Sequence, residues 1–352
     1  MADKKRDLNL DLIRAVAVFF TVGMHFMDNS GIYDIDIRGA LPLCTAMLRM
    51  LFTACVPMFL MLTGWLCRGR RLSRRYYRSV VRILEIYLLS SVLCLLYRAF
   101  LAHEEIDLRY AVGSVVNFYA SGYGWYVMMY LGLFLMMPFL NLMFSGLETR
   151  RQRLALIASF FVLSHLPSLL NVRLQLLSVW WKNLYPITYY FTGAYLAEYR
   201  PRLSAKKALC LLAALLPLCV LFNRFAYGVG GAGMIGVTYD HAEVYAVSML
   251  CFLTLRGVRT ESLPDGLCRF VARVSRLSFG AYLLSWISDG LLYPPFARMV
   301  PGYIQRLPWA LPVTALSLAL ALLLSQLTEW ANIPLDRGVQ TLLRRPDRKT
   351  DG

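Results

Sequence analysis

A chain of 352 residues that is 58% hydrophobic and 16% charged, with mean hydropathy +0.52, lies well outside the composition of a soluble globular domain. Its long apolar runs, without the ten-residue alternation of an outer-membrane barrel, predict an all-α integral membrane protein. The formal charge of +16 would suit a nucleic-acid partner, but the basic residues are scattered over six separate segments, so no nucleic-acid role is expected.

About ten transmembrane helices can be drawn in chain order, over 8–27, 44–67, 80–102, 125–144, 154–170, 184–199, 208–225, 239–255, 277–293 and 309–330, the sixth and eighth being the weakest. With the N-terminus inside, the segments on that side hold 27 of the 37 Lys and Arg residues, which the positive-inside rule demands. Both termini are then cytoplasmic. The first run is long, charged and free of a small-residue cleavage site, so no cleavable signal peptide is expected. The glycine-rich stretch 227–236 reads as an outer loop. No linker or composition shift divides the chain, and residues 1–352 read as a single polytopic domain. The eight cysteines (Cys44, Cys55, Cys67, Cys94, Cys210, Cys219, Cys251 and Cys268) show no CxxC spacing and read as free thiols acting as small hydrophobes, with no metal site.

The first run, LDLIRAVAVFFTVGMHF, carries Asp11, Arg14 and His25. At ~100° and ~1.5 Å per residue, the step from Arg14 to His25 is nearly three turns and roughly 16 Å, so both side chains share one helical face. Asp11 and Thr21 fall on the same stripe. Ionised side chains at membrane depth cost about 2.5–3.5 kcal/mol on insertion scales, and they normally face the bundle interior or a wet cavity. Two readings stand for Arg14: a snorkelling pair with Asp11, or a ligand-binding guanidinium. His25 is either a hydrogen-bonded core residue or a proton-transfer group. Asp28, three residues on, would orient the imidazole or simply end the helix.

These residues carry a resemblance. LDLIRAVAVFFTVGMH resembles the opening of the membrane-bound acyltransferase family 3, whose first helix carries Arg, ten residues, then His. VPMFLMLTGWLC, WYVMMYLGLFLMMPFLNLM, LYPITYYFTGAYLAEYRP and SFGAYLLSWISDGLLYP resemble its later helices in the bacterial O-acetyltransferase branch, in order along nearly the whole chain. The resemblance implies a multi-pass protein of the bacterial inner membrane. It implies transfer of an acyl group, usually acetyl from acetyl-CoA, to a hydroxyl of a sugar or cell-surface glycan, with Arg14 and His25 required and no metal. Histidine would act as general base or as acyl carrier. Ser285 stands where the family often has histidine, and Met128 where relatives carry a polar residue.

Other candidates are weaker in pattern. Tyr282, Ser285, Asp289 and Tyr293 recur at one helical face and would line the same cavity or simply pack there. Trp125 and Tyr126 suit either an interfacial aromatic belt or the site. Arg71, Arg74 and Arg75 serve topology or hold the phosphates of acyl-CoA. His165 and His241 read as hydrogen-bonded core or loop residues. A transporter or flippase for a glycan or small solute, and a non-catalytic envelope scaffold, are the competing functions. Acceptor, acyl length, oligomeric state and side of product release have no sequence signature.

Overall fold

The computed structural model describes residues 6–201 and 203–343, with side chains described as far as Trp330. Lys4, Lys5, Arg202 and the basic side chains of the C-terminal tail, all counted in the topology reading, lie outside the described residues.

The chain is helical throughout, with one isolated bridge, Asp36 to Gly230, among the described residues. Helix α1 spans Leu8–Ser30; Asp7 caps it by accepting the Asn9 N–H, and Gly31 ends it at φ 79°, a left-handed conformation that glycine adopts without strain. Then come α2 (Ala40–Phe52) and α3 (Cys55–Cys67), one apolar stretch interrupted at Thr53 and Ala54. They are followed by α4 (Val81–Phe100), α5 (Trp125–Ser145), α6 (Arg150–Ser164), α7 (Tyr185–Tyr199), α8 (Ala205–Tyr227), α9 (Ala242–Arg256), α10 (Asp265–Met299) and α11 (Ala310–Leu343).

Among the described residues, six stretches are long and apolar enough to cross a membrane: Leu8–Ser30, Ala40–Cys67, Arg74–Phe100, Trp125–Ser145, Ala205–Tyr227 and Tyr303–Trp330. The other four expected spans are helical but of different character. α6, α7 and α9 have 15 residues each, roughly 22 Å of helix against a hydrocarbon core of about 30 Å. The expected span 154–170 breaks after Ser164, and a separate turn forms at Pro167–Leu170. α10 is much longer than the expected 277–293, running 35 residues, and its first turns carry Arg269, Arg273 and Arg276.

α1 lies in the middle of the bundle, packed on α3, α10 and α11, and also on α2 and α9. α3 and α7 touch backbone to backbone because Gly64 faces the Tyr190 carbonyl and Gly193 faces the Met61 carbonyl; a side chain at either position would collide with main chain. Close approach through small residues is how helices associate where lipid removes the hydrophobic driving force. α10 and α11 are joined by hydroxyls, Ser325 Oγ donating to the Leu277 carbonyl at 3.0 Å and Ser288 meeting Ser317 at 2.8 Å. The outer surfaces of α4, α5 and α8 present exposed leucine, methionine and phenylalanine. The glycine-rich stretch closes back on the segment after α1, with Ile37 N–H on the Val229 carbonyl (2.8 Å) and Gly231 N–H on the Ile35 carbonyl (2.9 Å), and contains a short helix, Gly231–Ile235.

Candidate active site

Asp11 organises the N-terminal end of α1. Arg6 grips its carboxylate with two nitrogens, and Ser275 of α10 donates to Oδ1 at 2.6 Å. Arg14, three residues on, is left 3.7 Å from the same oxygen and donates to Ser275 Oγ at 2.9 Å. The carboxylate is thus largely spent on Arg6, and the Arg14 guanidinium keeps charge to offer elsewhere. It offers it to a cavity of about 350 Å³ lined by α1, α3, α4, α5 and α10. Arg14, Ser79 and Arg82 are among its polar lining, the walls include Phe59, Leu62, Ile83, Ile86 and Phe279, and Thr21, Tyr126, Tyr130 and Tyr282 also line it. From Arg14 to Thr21 the cavity follows α1 for roughly 10 Å.

His25 is not on the cavity wall. One turn beyond Thr21, its ring is stacked on Tyr123, centroids 3.5 Å apart and 15° from parallel. Tyr282 donates its hydroxyl to the Tyr123 carbonyl and packs edge-on to Tyr126, 5.6 Å between centroids. The sequence places guanidinium and imidazole in one chamber; in the structure the imidazole is not among the residues that line the cavity, and Tyr123, tied to the cavity-lining Tyr282, stacks on it. The reason is tertiary: Tyr123 enters from the loop before α5, a segment that α1 periodicity says nothing about.

Around His25 the chemistry is ordered. Nδ1 lies 3.1 Å from Asp289 Oδ2 and 3.2 Å from Ser285 Oγ, both on α10. Asp289 is 3% exposed, and its carboxylate accepts Tyr123 Oη at 2.9 Å on Oδ2 and Ser317 Oγ at 2.6 Å on Oδ1. Burial, with the Asp289 carboxylate second, holds the Tyr123 phenol well above its ordinary range, so it remains a proton donor to that carboxylate. Ser285 is committed as a donor to the Tyr282 carbonyl at 2.7 Å, which leaves its oxygen to accept. An anionic Asp289 favours the tautomer with hydrogen on Nδ1 and the lone pair on Nε2. Among the described residues Nε2 has no hydrogen-bond partner.

Asp28 does not orient the imidazole. It is exposed and accepts Tyr33 Oη at 2.9 Å. Tyr33 in turn accepts from Arg49 Nε at 3.2 Å; Arg49, 5% exposed, also donates to Thr53 Oγ1 and the Val237 carbonyl, each at 2.9 Å. This knot fastens the far end of α1 to α2 and the loop before α9.

Of the remaining expected site residues, Tyr126 and Tyr282 line the cavity, and the Tyr126 hydroxyl has no partner among the described residues. Trp125 lies outside the lining and stacks on Tyr239, centroids 5.8 Å apart. Arg71, Arg74 and Arg75 are exposed and off the cavity wall, because α4 turns Arg82 toward it instead. Met128 faces outward, 56% exposed. His165 is buried with Nδ1 2.7 Å from Ser164 Oγ, and His241 faces Glu243 at 3.1 Å. Tyr123 and Ser317 escaped the sequence reading; neither lies in a motif with a polar period.

A family model described as an acyltransferase domain matches residues 7–326. No curated protein and no solved structure matches the chain.

Proposed function

The chain belongs to the membrane acyltransferase family 3, and on that premise we propose an O-acyltransferase of the bacterial inner membrane that takes acetyl from acetyl-CoA and delivers it to a hydroxyl of a sugar or cell-surface glycan. The observation that carries this reading is the Asp289–His25 pair with its unoccupied Nε2, one helical turn from the end of a cavity that begins at Arg14 and Arg82.

Nε2 of His25 takes the proton of the acceptor hydroxyl as its oxygen attacks the thioester carbonyl. Asp289, 3.1 Å from Nδ1, stabilises the imidazolium that forms. The C–S bond breaks, and the departing thiolate receives the proton from Nε2, which restores the neutral ring. Tyr126, whose hydroxyl is free in the cavity, donates to the oxygen on which negative charge develops. Arg14 and Arg82 hold the polar part of the donor, and its acyl arm lies along the largely apolar walls of the cavity. For the thioester to meet Nε2, the Tyr282 side chain must turn aside. Donor arrival is then coupled to opening.

The test is acyl transfer from radiolabelled acetyl-CoA by purified protein, against a panel of glycans. His25→Ala is expected to abolish labelling of the acceptor, and Arg14→Gln to raise the donor KM about tenfold or more. Full turnover in His25→Ala refutes the assignment.

A further inference from the structure

At the N-terminal end of α1, on the other side of the Asp11–Ser275 contact from the main cavity, a separate cleft of about 260 Å³ is lined by Arg6, Arg269, Ala272, Arg273 and Arg276. Four of its five lining residues are arginine. Arg269, Arg273 and Arg276 recur at steps of four and three, so one face of the first turns of α10 carries them all. Like charges on one helical face repel, and such spacing is destabilising without compensation.

The compensation present is partial. Arg6 is engaged by Asp11 and by the Ala272 carbonyl at 2.9 Å. Arg276 reaches Glu329 at 3.3 Å with both groups partly exposed, and among the described residues Arg273 has only the neutral amide of Gln326 at 3.1 Å. Arg269 has no partner among the described residues; Asp265 is one turn before it but forms no ion pair with it. The cleft therefore keeps a positive surplus, delivered by planar guanidinium forks whose geometry matches phosphate oxygens.

The cleft also points somewhere. The α10 ridge that bears Ala272 and Arg276 continues through Phe279 to Tyr282, which line the main cavity. From Arg273 to Tyr282 the helix rises roughly 14 Å. A long ligand with a phosphate at one end and an apolar or thioester arm at the other has a place for each part along one helix.

We propose that the Arg6–Arg269–Arg273–Arg276 cleft is a phosphate-binding site for the phosphate-bearing end of a molecule whose other end enters the membrane-level cavity. Two molecules bring that chemistry to the face of a membrane: the nucleotide 3′-phosphate of CoA and the headgroup of an anionic phospholipid. The CoA alternative rests on the acyl-transfer reading; the lipid alternative does not.

Full-length protein in zwitterionic nanodiscs separates them. In the first arm, binding of CoA and of dephospho-CoA, which lacks only the 3′-phosphate, is measured for wild type, Arg269→Gln and the double variant Arg273→Gln/Arg276→Gln. Wild type is expected to favour CoA about tenfold, and the double variant to bind both forms within twofold. In the second arm, phosphatidylglycerol replaces part of the zwitterionic lipid, and its effect on thermal unfolding is compared between the same proteins. Stabilisation lost in the variants assigns the site to the headgroup. Arg269 has no partner to lose among the described residues, so that variant keeps the test readable if the double variant folds poorly. Equal behaviour of wild type and variants in both arms overturns the proposal. Absence of any CoA binding with the lipid effect intact overturns only the acyl-CoA reading.

Discussion

Replacing Asp289 by Asn keeps the shape of the side chain and removes its charge, which isolates the electrostatic part of the proposed chemistry. The Oδ2 position receives two donors, Tyr123 Oη at 2.9 Å and the His25 Nδ1 side at 3.1 Å, whereas Oδ1 receives only the rotatable Ser317 hydroxyl at 2.6 Å. The amide therefore settles with its oxygen at Oδ2 and its NH2 toward Ser317. Ser317 can reverse to accept, because its oxygen also lies 2.8 Å from Ser288, another hydroxyl. The His25 tautomer and ring position then survive, and the imidazolium formed on proton transfer loses its counter-charge. With an effective dielectric near 20, a unit charge at that separation is worth roughly 5 kcal/mol, an upper bound before relaxation. A loss of about 10³-fold in kcat follows, at little cost in donor KM, since the charge matters only once the proton moves. The assay is transfer of labelled acetyl at saturating donor, with thermal unfolding in the same detergent to show that the variant is folded. Turnover within about threefold of wild type in a folded Asp289→Asn protein refutes the pairing of Asp289 with His25 as the source of catalysis.

Three further outcomes are expected. Tyr282→Ala removes the hydroxyl held by the Tyr123 carbonyl and part of the wall below His25, so carbethoxylation of His25, followed by mass spectrometry of its peptide, should accelerate several-fold; an unchanged rate means the tyrosines are not the barrier. Cys67 lines the main cavity while Cys55 is fully buried, so maleimide should label Cys67 and not Cys55, and saturating acyl-CoA should slow that labelling; labelling that ignores the donor places the donor elsewhere. Gly193→Leu drives a side chain into the Met61 carbonyl and should destabilise the α3–α7 contact by about 1–3 kcal/mol or more, read as a lower unfolding temperature with the helical signal retained before the transition; an unchanged transition excludes the close approach.

The polar stripe of α1 was legible because a membrane helix leaves few reasons to keep Asp11, Arg14, Thr21 and His25 in register, and a period of 3.6 residues is a local property. The stripe Tyr282–Ser285–Asp289–Tyr293 was legible for the same reason, but its meaning was not. Which residue answers Nδ1 of His25 depends on how α1 and α10 dock, and the sequence offered Asp28, only three residues away, as an equally local alternative. Docking chose the residue 264 positions distant. Topology also competed with chemistry in the basic segment 68–82: the positive-inside pattern explains every arginine there equally well, so nothing local singles out Arg82 from Arg71, Arg74 and Arg75 as the one that reaches the cavity. Helix lengths were misjudged where polarity marks the wrong boundary. The arginines of α10 look like the end of a span by hydropathy, yet nothing in that segment breaks a helix, and it continues to Asp265.

That extension of α10 links the two ends of the molecule's chemistry. The same helix supplies the arginine cleft in its first turns, Ser275 beside Arg14 next, the cavity-lining Phe279 and Tyr282 after that, and Ser285 and Asp289 against His25 last. The helix sets the spacing between these groups at ~1.5 Å per residue, so one element joins the cleft to Tyr282. Because Tyr282 holds the carbonyl of Tyr123, and Tyr123 both covers His25 and donates to Asp289, the imidazole is coupled through two residues to whatever occupies the cleft. On the proposed acyl-transfer reading, a donor whose phosphate sits in the cleft is connected through α10 to the tyrosines that surround His25, and the base is withheld until that donor is seated.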